Sequence, residues 1–216
     1  MRIMIAVPCM DMVHVQFVES LLAMDKPDDT VLCFHPNSLI YDARNLLSIQ
    51  AIKEGYDRVL WVDSDIVGER DALMRLIADM DALDAPMVTG FYVTRSMPPE
   101  PVIYDVVREP VLDRNNRLVK RIHRYFDYKP DSIIPVEGCG FGFVLTRVSL
   151  LKEVWDKFGP AFAPVQWTGE DVAFCHRVNL LGHRILCDTS VSLGHVGTMV
   201  YSEKLLRHGG NNSEKH

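Results

Sequence analysis

Apolar positions along this chain follow two periods that take turns. Ile3–Val7 and Val31–Phe34 are short runs of strand length, the first closed by Pro8. Between Asp42 and Glu54 the apolar residues Ala43, Leu46, Leu47 and Ala51 recur at helical spacing, and Gly55 ends the pattern. Arg58–Val62 predicts a buried strand that runs directly into Asp63. Leu73, Leu76, Ile77 and Met80 mark one face of an amphipathic helix, with Glu69 and Asp71 near its N-terminus, where the helix dipole favours carboxylates. Met87–Phe91 predicts a further strand. Strand–helix–strand units in series predict an α/β fold, with a mostly parallel, Rossmann-like central sheet flanked by helices. Such sheets take their ligands beyond the carboxyl ends of the strands. Pro8, Asp63 and Gly90 fall at those ends.

The pattern changes between Thr94 and Asp131. Pro98-Pro99-Glu100-Pro101 interrupts regular structure, and Asn115-Asn116 between two mixed runs predicts a hairpin turn. Arg108, Arg114, Arg117, Lys120, Arg121, Arg124 and Lys129 gather in this smaller sheet or hairpin region. Two readings stay open for them: a solvated face, or a loop that contacts an anionic acceptor or substrate phosphates. Alternation then resumes. Gly140–Leu145 predicts a glycine-bearing strand, and Leu150, Leu151, Val154, Trp155 and Phe158 a helix that ends at Gly159. A second helix is predicted from about Glu170 to Leu181 with Gly182 as its stop, then a strand at Arg184–Cys187. No repeat or linker divides the chain, so one domain is expected over residues 1–208, with a flexible tail at 209–216.

Composition narrows the class. The chain has 216 residues, 48% apolar and 24% charged, which suits one globular domain. A net charge of −6 argues against nucleic-acid binding over most of the surface. The five cysteines are an odd number without CxxC spacing, which suits a reducing cytoplasm and offers no zinc signature. No apolar stretch approaches the roughly 20 residues that a bilayer crossing needs. The expectation is a cytoplasmic enzyme without a transmembrane segment; a homo-oligomer stays open.

The candidate chemistry begins with Asp63-Ser64-Asp65. Two carboxylates one residue apart, at the tip of a buried strand, call for a counter-charge. Hard oxygen donors suit Mg²⁺ or Mn²⁺, cations that also bridge phosphate oxygens. An Asx-rich turn ahead of the next helix is the plainer alternative. Arg44 and Asn45 stand near the start of a predicted helix, a place that favours anions. Glu170 and Asp171 open another, where simple capping would also explain them. His195 lies between Gly194 and Gly197, and its imidazole is an acceptable Mn²⁺ ligand.

The order of Tyr41-Asp42-Ala43-Arg44-Asn45, Leu60-Trp61-Val62-Asp63-Ser64-Asp65, Gly138 to Arg147, Gly169-Glu170-Asp171 and Gly194-His195 resembles the GT-A fold glycosyltransferases over nearly the whole chain. The resemblance implies a Rossmann-like GT-A fold with an acceptor-side hairpin region. It also implies a metal-dependent glycosyltransferase that moves one sugar from a UDP- or GDP-sugar to a hydroxyl acceptor, with Mn²⁺ or Mg²⁺ as cofactor. Asp65 would ligate the metal, with Asp63 at the ribose or the metal shell and His195 completing the shell. Pro8, Arg44, Asn45, Asp63, Ser64 and Asp65 would line the nucleotide. Asp171, supported by Glu170, would activate or orient the acceptor. Gly138, Gly140 and Gly142 would let substrate approach the backbone. Cys9-Met10-Asp11 departs from the aromatic or asparagine many relatives carry near the base, and no Gln-x-x-Arg-Trp motif of processive synthases is present. Two other functions fit the acidic pair: a nucleotidyltransferase releasing pyrophosphate, and a non-catalytic nucleotide-sugar-binding module. The acceptor could be a saccharide, a small molecule or a polyanion such as nucleic acid.

Overall fold

The structure is a computed structural model that describes residues 1–197 and 200–204. The tail expected at 209–216 lies outside the described residues. Its first half contains β1 (Ile3–Cys9), α1 (Val15–Ala23), β2 (Thr30–Pro36), α2 (Ile40–Lys53), β3 (Arg58–Val62), β4 (Ile66–Val67), α3 (Ala72–Ala82) and β5 (Met87–Phe91). A hairpin of β6 (Ile103–Leu112) and β7 (Leu118–Arg124) follows. The chain continues through β8 (Ile133–Val136), β9 (Gly138–Cys139), β10 (Phe143–Arg147), α4 (Val148–Phe158), α5 (Glu170–Leu180), β11 (Ile185–Ser192), β12 (Gly194–Val196) and β13 (Val200–Tyr201).

The central sheet has seven strands in the order β2-β1-β3-β10-β5-β11-β8. β1, β2, β3, β5 and β11 share a direction, while β10 and β8 run against their neighbours. Both faces are covered, and the period-two alternation of strand side chains decides which core each residue enters. Met4, Ala6, Val59, Trp61 and Val144 face one cluster, into which α2, α4 and α5 pack. Ile3, Ile5, Val7, Leu60, Val62 and Leu145 face the other, closed by Phe17 and Leu21 of α1 and Leu73, Leu76 and Met80 of α3. The described residues also form two smaller three-stranded sheets, β13-β12-β4 and β7-β6-β9.

Several sequence expectations are amended. Gly140–Leu145 is not one strand. The chain leaves β9 at Gly140 and re-enters the sheet as β10 at Phe143, because β9 pairs with β6 while β10 pairs with β3 and β5. α1 gave no sequence signal: only Phe17 and Leu21 are buried, and Val15 and Leu22 face outward, which blurs the helical stripe. β8 has no sequence signature of a strand because it carries Pro135, a residue accommodated on an edge strand. Asp71 occupies the N-cap position of α3, but its side chain makes no capping hydrogen bond.

Candidate active site

β3 ends at Val62 and delivers Asp63 at the carboxyl edge of the sheet, where Asp63 N donates to Gly142 O at 3.0 Å. A turn closed by Ile66 N donating to Asp63 O brings the chain into β4. This places Asp65 immediately before the first residue of a second, smaller sheet. β12 pairs antiparallel with β4, setting His195 opposite Ile66 and Gly194 opposite Val67. Val196 N donates to Asp65 O at 2.7 Å, which ties the two segments at the site itself. Gly194 is needed here: a Cβ would stand 2.8 Å from both Val67 Cγ2 and Val200 Cγ1. Strand pairing therefore carries a residue 130 positions away in sequence onto the acidic motif.

His195 Nδ1 donates to Val93 O at 2.9 Å, and its ring packs edge-on against Tyr92. A neutral ring held this way carries its lone pair on Nε2, which faces Asp65 Oδ2 at 3.5 Å. Two acceptors face each other stably only with a proton or a cation between them. This donor set, one imidazole and one carboxylate, fits a hard divalent cation of the Mn²⁺ type. No group of three or more His, Cys, Asp or Glu side chains poised to cage a metal occurs among the described residues.

Asp65 Oδ2 also receives Arg95 Nη1 at 2.8 Å. Burial alone would push the Asp65 carboxyl upward, but a proton on His195 Nε2, standing where a cation otherwise would, and the charge of Arg95 hold it below the usual carboxylate range. Asp63 has the opposite balance. Burial raises its carboxyl above the usual range, Arg44 pulls it down and neighbouring Asp65 adds to the rise.

Arg44, on the first turns of α2, is buried with a side chain only 3% exposed. Its Nη2 donates to Asp63 Oδ1 at 2.8 Å and its Nη1 to Glu170 at the start of α5. The guanidinium lies over Phe141 and Phe162, within an aromatic cluster that includes Trp61 and Phe174. Arg44 is thus a buried strut between the Asp63 turn and the start of α5, occupied at both ends by carboxylates. Asn45, expected at the nucleotide, instead accepts from Phe162 N at 2.9 Å and fixes the segment leading to α5.

Pro8, Cys9, Ser38, Asp63, Ser64, Asp65, Arg95 and His195 line an open cleft of about 370 Å³. Asp171 does not line it. It sits in the first turn of α5, where its Oδ1 accepts from Val172 N, and burial followed by the charge of Glu170 raises its proton affinity while Arg44 opposes the rise. Gly140 and Gly142 make room for Tyr92 rather than for open space. A Cβ on Gly140 would lie 2.2 Å from the Tyr92 hydroxyl, and Gly142 N donates to that hydroxyl at 3.1 Å.

The basic segment divides. Arg108 pairs with Glu137, and Arg124 pairs with Glu100 while its guanidinium lies over Tyr104. Arg114, Arg117, Lys120, Arg121 and Lys129 are exposed on or beside the hairpin. Arg95 and Tyr92 are functional candidates that the sequence reading passed over. Their signal was positional: both follow the carboxyl end of β5, where such sheets place ligands.

No protein-family model matches the chain, and no curated protein matches it in sequence. In fold it is similar to A197 from STIV, with a TM-score of 0.64 and 20% identity over 91% of this chain and 86% of that one. It is similar also to GalNAc-T7, crystallised with UDP, GalNAc and Mn²⁺, with a TM-score of 0.56 and 12% identity. That match covers 91% of this chain and 44% of GalNAc-T7. Together with the sheet order, these likenesses establish a GT-A-like fold.

Proposed function

We propose that this chain is a metal-dependent glycosyltransferase that moves a single sugar from a UDP- or GDP-sugar to a hydroxyl acceptor. The observation that carries the reading is the meeting of His195 Nε2 and Asp65 Oδ2 in a cleft at the carboxyl edge of the sheet, beside Asp63. Fold similarity to a protein crystallised with UDP, GalNAc and Mn²⁺ supports it.

In this reading Asp65 and His195 hold Mn²⁺ or Mg²⁺, and Asp63 stands beside them toward the ribose or a water of the cation. The bound cation would neutralise the diphosphate and stabilise the departing nucleoside diphosphate. Asp63 keeps its position and charge through Arg44. Pro8 and Ser64, on the cleft wall, contact the nucleotide. Asp171 receives or orients the acceptor hydroxyl, its raised proton affinity suiting a base, and Glu170 is held beside it by Arg44. Residues 1–208 act as one catalytic domain. The exposed hairpin cations are available to an acceptor with negative charge; a saccharide or small-molecule hydroxyl needs none.

A panel of UDP- and GDP-sugars with Mn²⁺, read by product analysis, tests this. Release of free nucleoside diphosphate with sugar transfer is expected. Pyrophosphate as the product would establish the nucleotidyltransferase instead, and binding without turnover the non-catalytic module. Asp171→Asn is expected to keep donor binding by calorimetry and to lower turnover by about 100-fold, the range for a lost general base. Unchanged turnover would remove Asp171 from the site.

A further inference from the structure

Two arginines stand close to the acidic motif, and they differ in what they are free to do. Arg44 is buried and spans Asp63 and Glu170, so turning it toward a ligand would strand two carboxylates. Arg95 has a half-exposed side chain, lines the cleft and holds one carboxylate, Asp65. Its other polar contact among the described residues is a long one to Val196 O at 3.4 Å. The loop that presents it is pinned at its base, where Thr94 N donates to Glu100 O and Glu100 N to Thr94 Oγ1. The backbone is therefore held while the guanidinium can swing.

The carboxylate that Arg95 grips is the one that His195 Nε2 also faces. A divalent cation on Asp65 and a guanidinium on the same carboxylate repel each other strongly in a half-buried cleft. The planar fork of arginine suits two phosphate oxygens, which a diphosphate would bring to the same cleft.

Building on the glycosyltransferase reading above, we infer that Arg95 is an exchangeable counter-ion of Asp65: it yields this carboxylate to the divalent cation and turns to bind the diphosphate of the nucleotide donor. Arg95, not Arg44, is then the phosphate-binding arginine. The exchange is charge-balanced, since the cation replaces the guanidinium at Asp65 and the diphosphate receives it. No covalent bond changes.

Two titrations on the full chain test the exchange, neither depending on turnover. The first is Mn²⁺ alone, followed by electron paramagnetic resonance. The second compares UDP with UMP, and GDP with GMP, in the presence of Mn²⁺, followed by calorimetry. Arg95→Ala is expected to bind Mn²⁺ alone about tenfold more tightly, and to lose at least about tenfold of the preference for diphosphate over monophosphate. Arg95→Lys, which keeps the charge without the fork, is expected to recover part of that preference. The proposal is overturned if Arg95→Ala binds Mn²⁺ no more tightly, or if it keeps the full diphosphate preference. A wild-type protein that binds no nucleoside diphosphate would instead overturn the glycosyltransferase reading, and this exchange with it. Arg95 is half-exposed on a loop, so the variant keeps the fold.

Discussion

At the scale of single residues, the site rests on one buried cation. Arg44 stacks on two phenylalanine rings and divides its guanidinium between Asp63 and Glu170. Among the described residues its Nε finds no hydrogen-bond partner, so the aromatic cluster and the two carboxylates carry the arrangement. Arg44→Met would leave both acids without a counter-charge. The expected loss is about 3 kcal/mol, the lower end for breaking a buried ion pair, because Asp63 keeps some contact with water. Chemical denaturation at neutral pH measures it; a loss below about 0.5 kcal/mol, typical of a surface pair, would contradict the strut. The family resemblance put Arg44 and Asp63 at one expected nucleotide site. It did not reveal that the arginine is buried, because burial came from Phe141 and Phe162, which lie on a glycine turn and a loop with no periodicity. The contact of Asn45 with the backbone of Phe162 was illegible for the same reason.

At the scale of elements, strands buried on both faces were the most legible feature. Their apolar runs in β1, β3 and β5 have few alternative explanations. Direction was harder to read. β10 runs antiparallel between β3 and β5, and nothing in Phe143–Arg147 differs in kind from its parallel neighbours. A second carboxylate pair, away from the cleft, links α3 to β11 and gives a prediction at this scale. Asp79 is pushed up to about 6 by burial and by Asp188 beside it, with Arg75 opposing. The folded chain holds this proton longer than the unfolded chain does. Stability from this group is therefore full below the ordinary carboxylate range and is lost as pH rises through about 6. Asp79→Asn removes the loss. Its gain in stability is expected to grow between about pH 4 and pH 6 and to hold constant above, at about 1 kcal/mol after allowing for solvent screening. Thermal unfolding across that range checks the sign; a gain that shrinks with rising pH would contradict it.

At the scale of the molecule, the fold is a device for bringing distant segments to one edge. β3 leads into the Asp63 and Asp65 turn, α2 supplies the strut, α5 the Glu170 and Asp171 carboxylates, and β12 the histidine. Long-range pairing of β12 with β4 cannot be read from three residues, Gly194–Val196, so only the family resemblance connected His195 to the acidic motif. The described helices include none long and apolar enough to cross a membrane. In the proposed function Asp65 and His195 hold a divalent cation for a nucleoside diphosphate. Calorimetric titration of Mn²⁺ with UDP or GDP present, on the wild type and on Asp65→Ala and His195→Ala, addresses it most directly. Measurable binding in the wild type, weakened at least about tenfold in both variants, is the predicted result. Binding of equal strength in all three proteins would contradict the account.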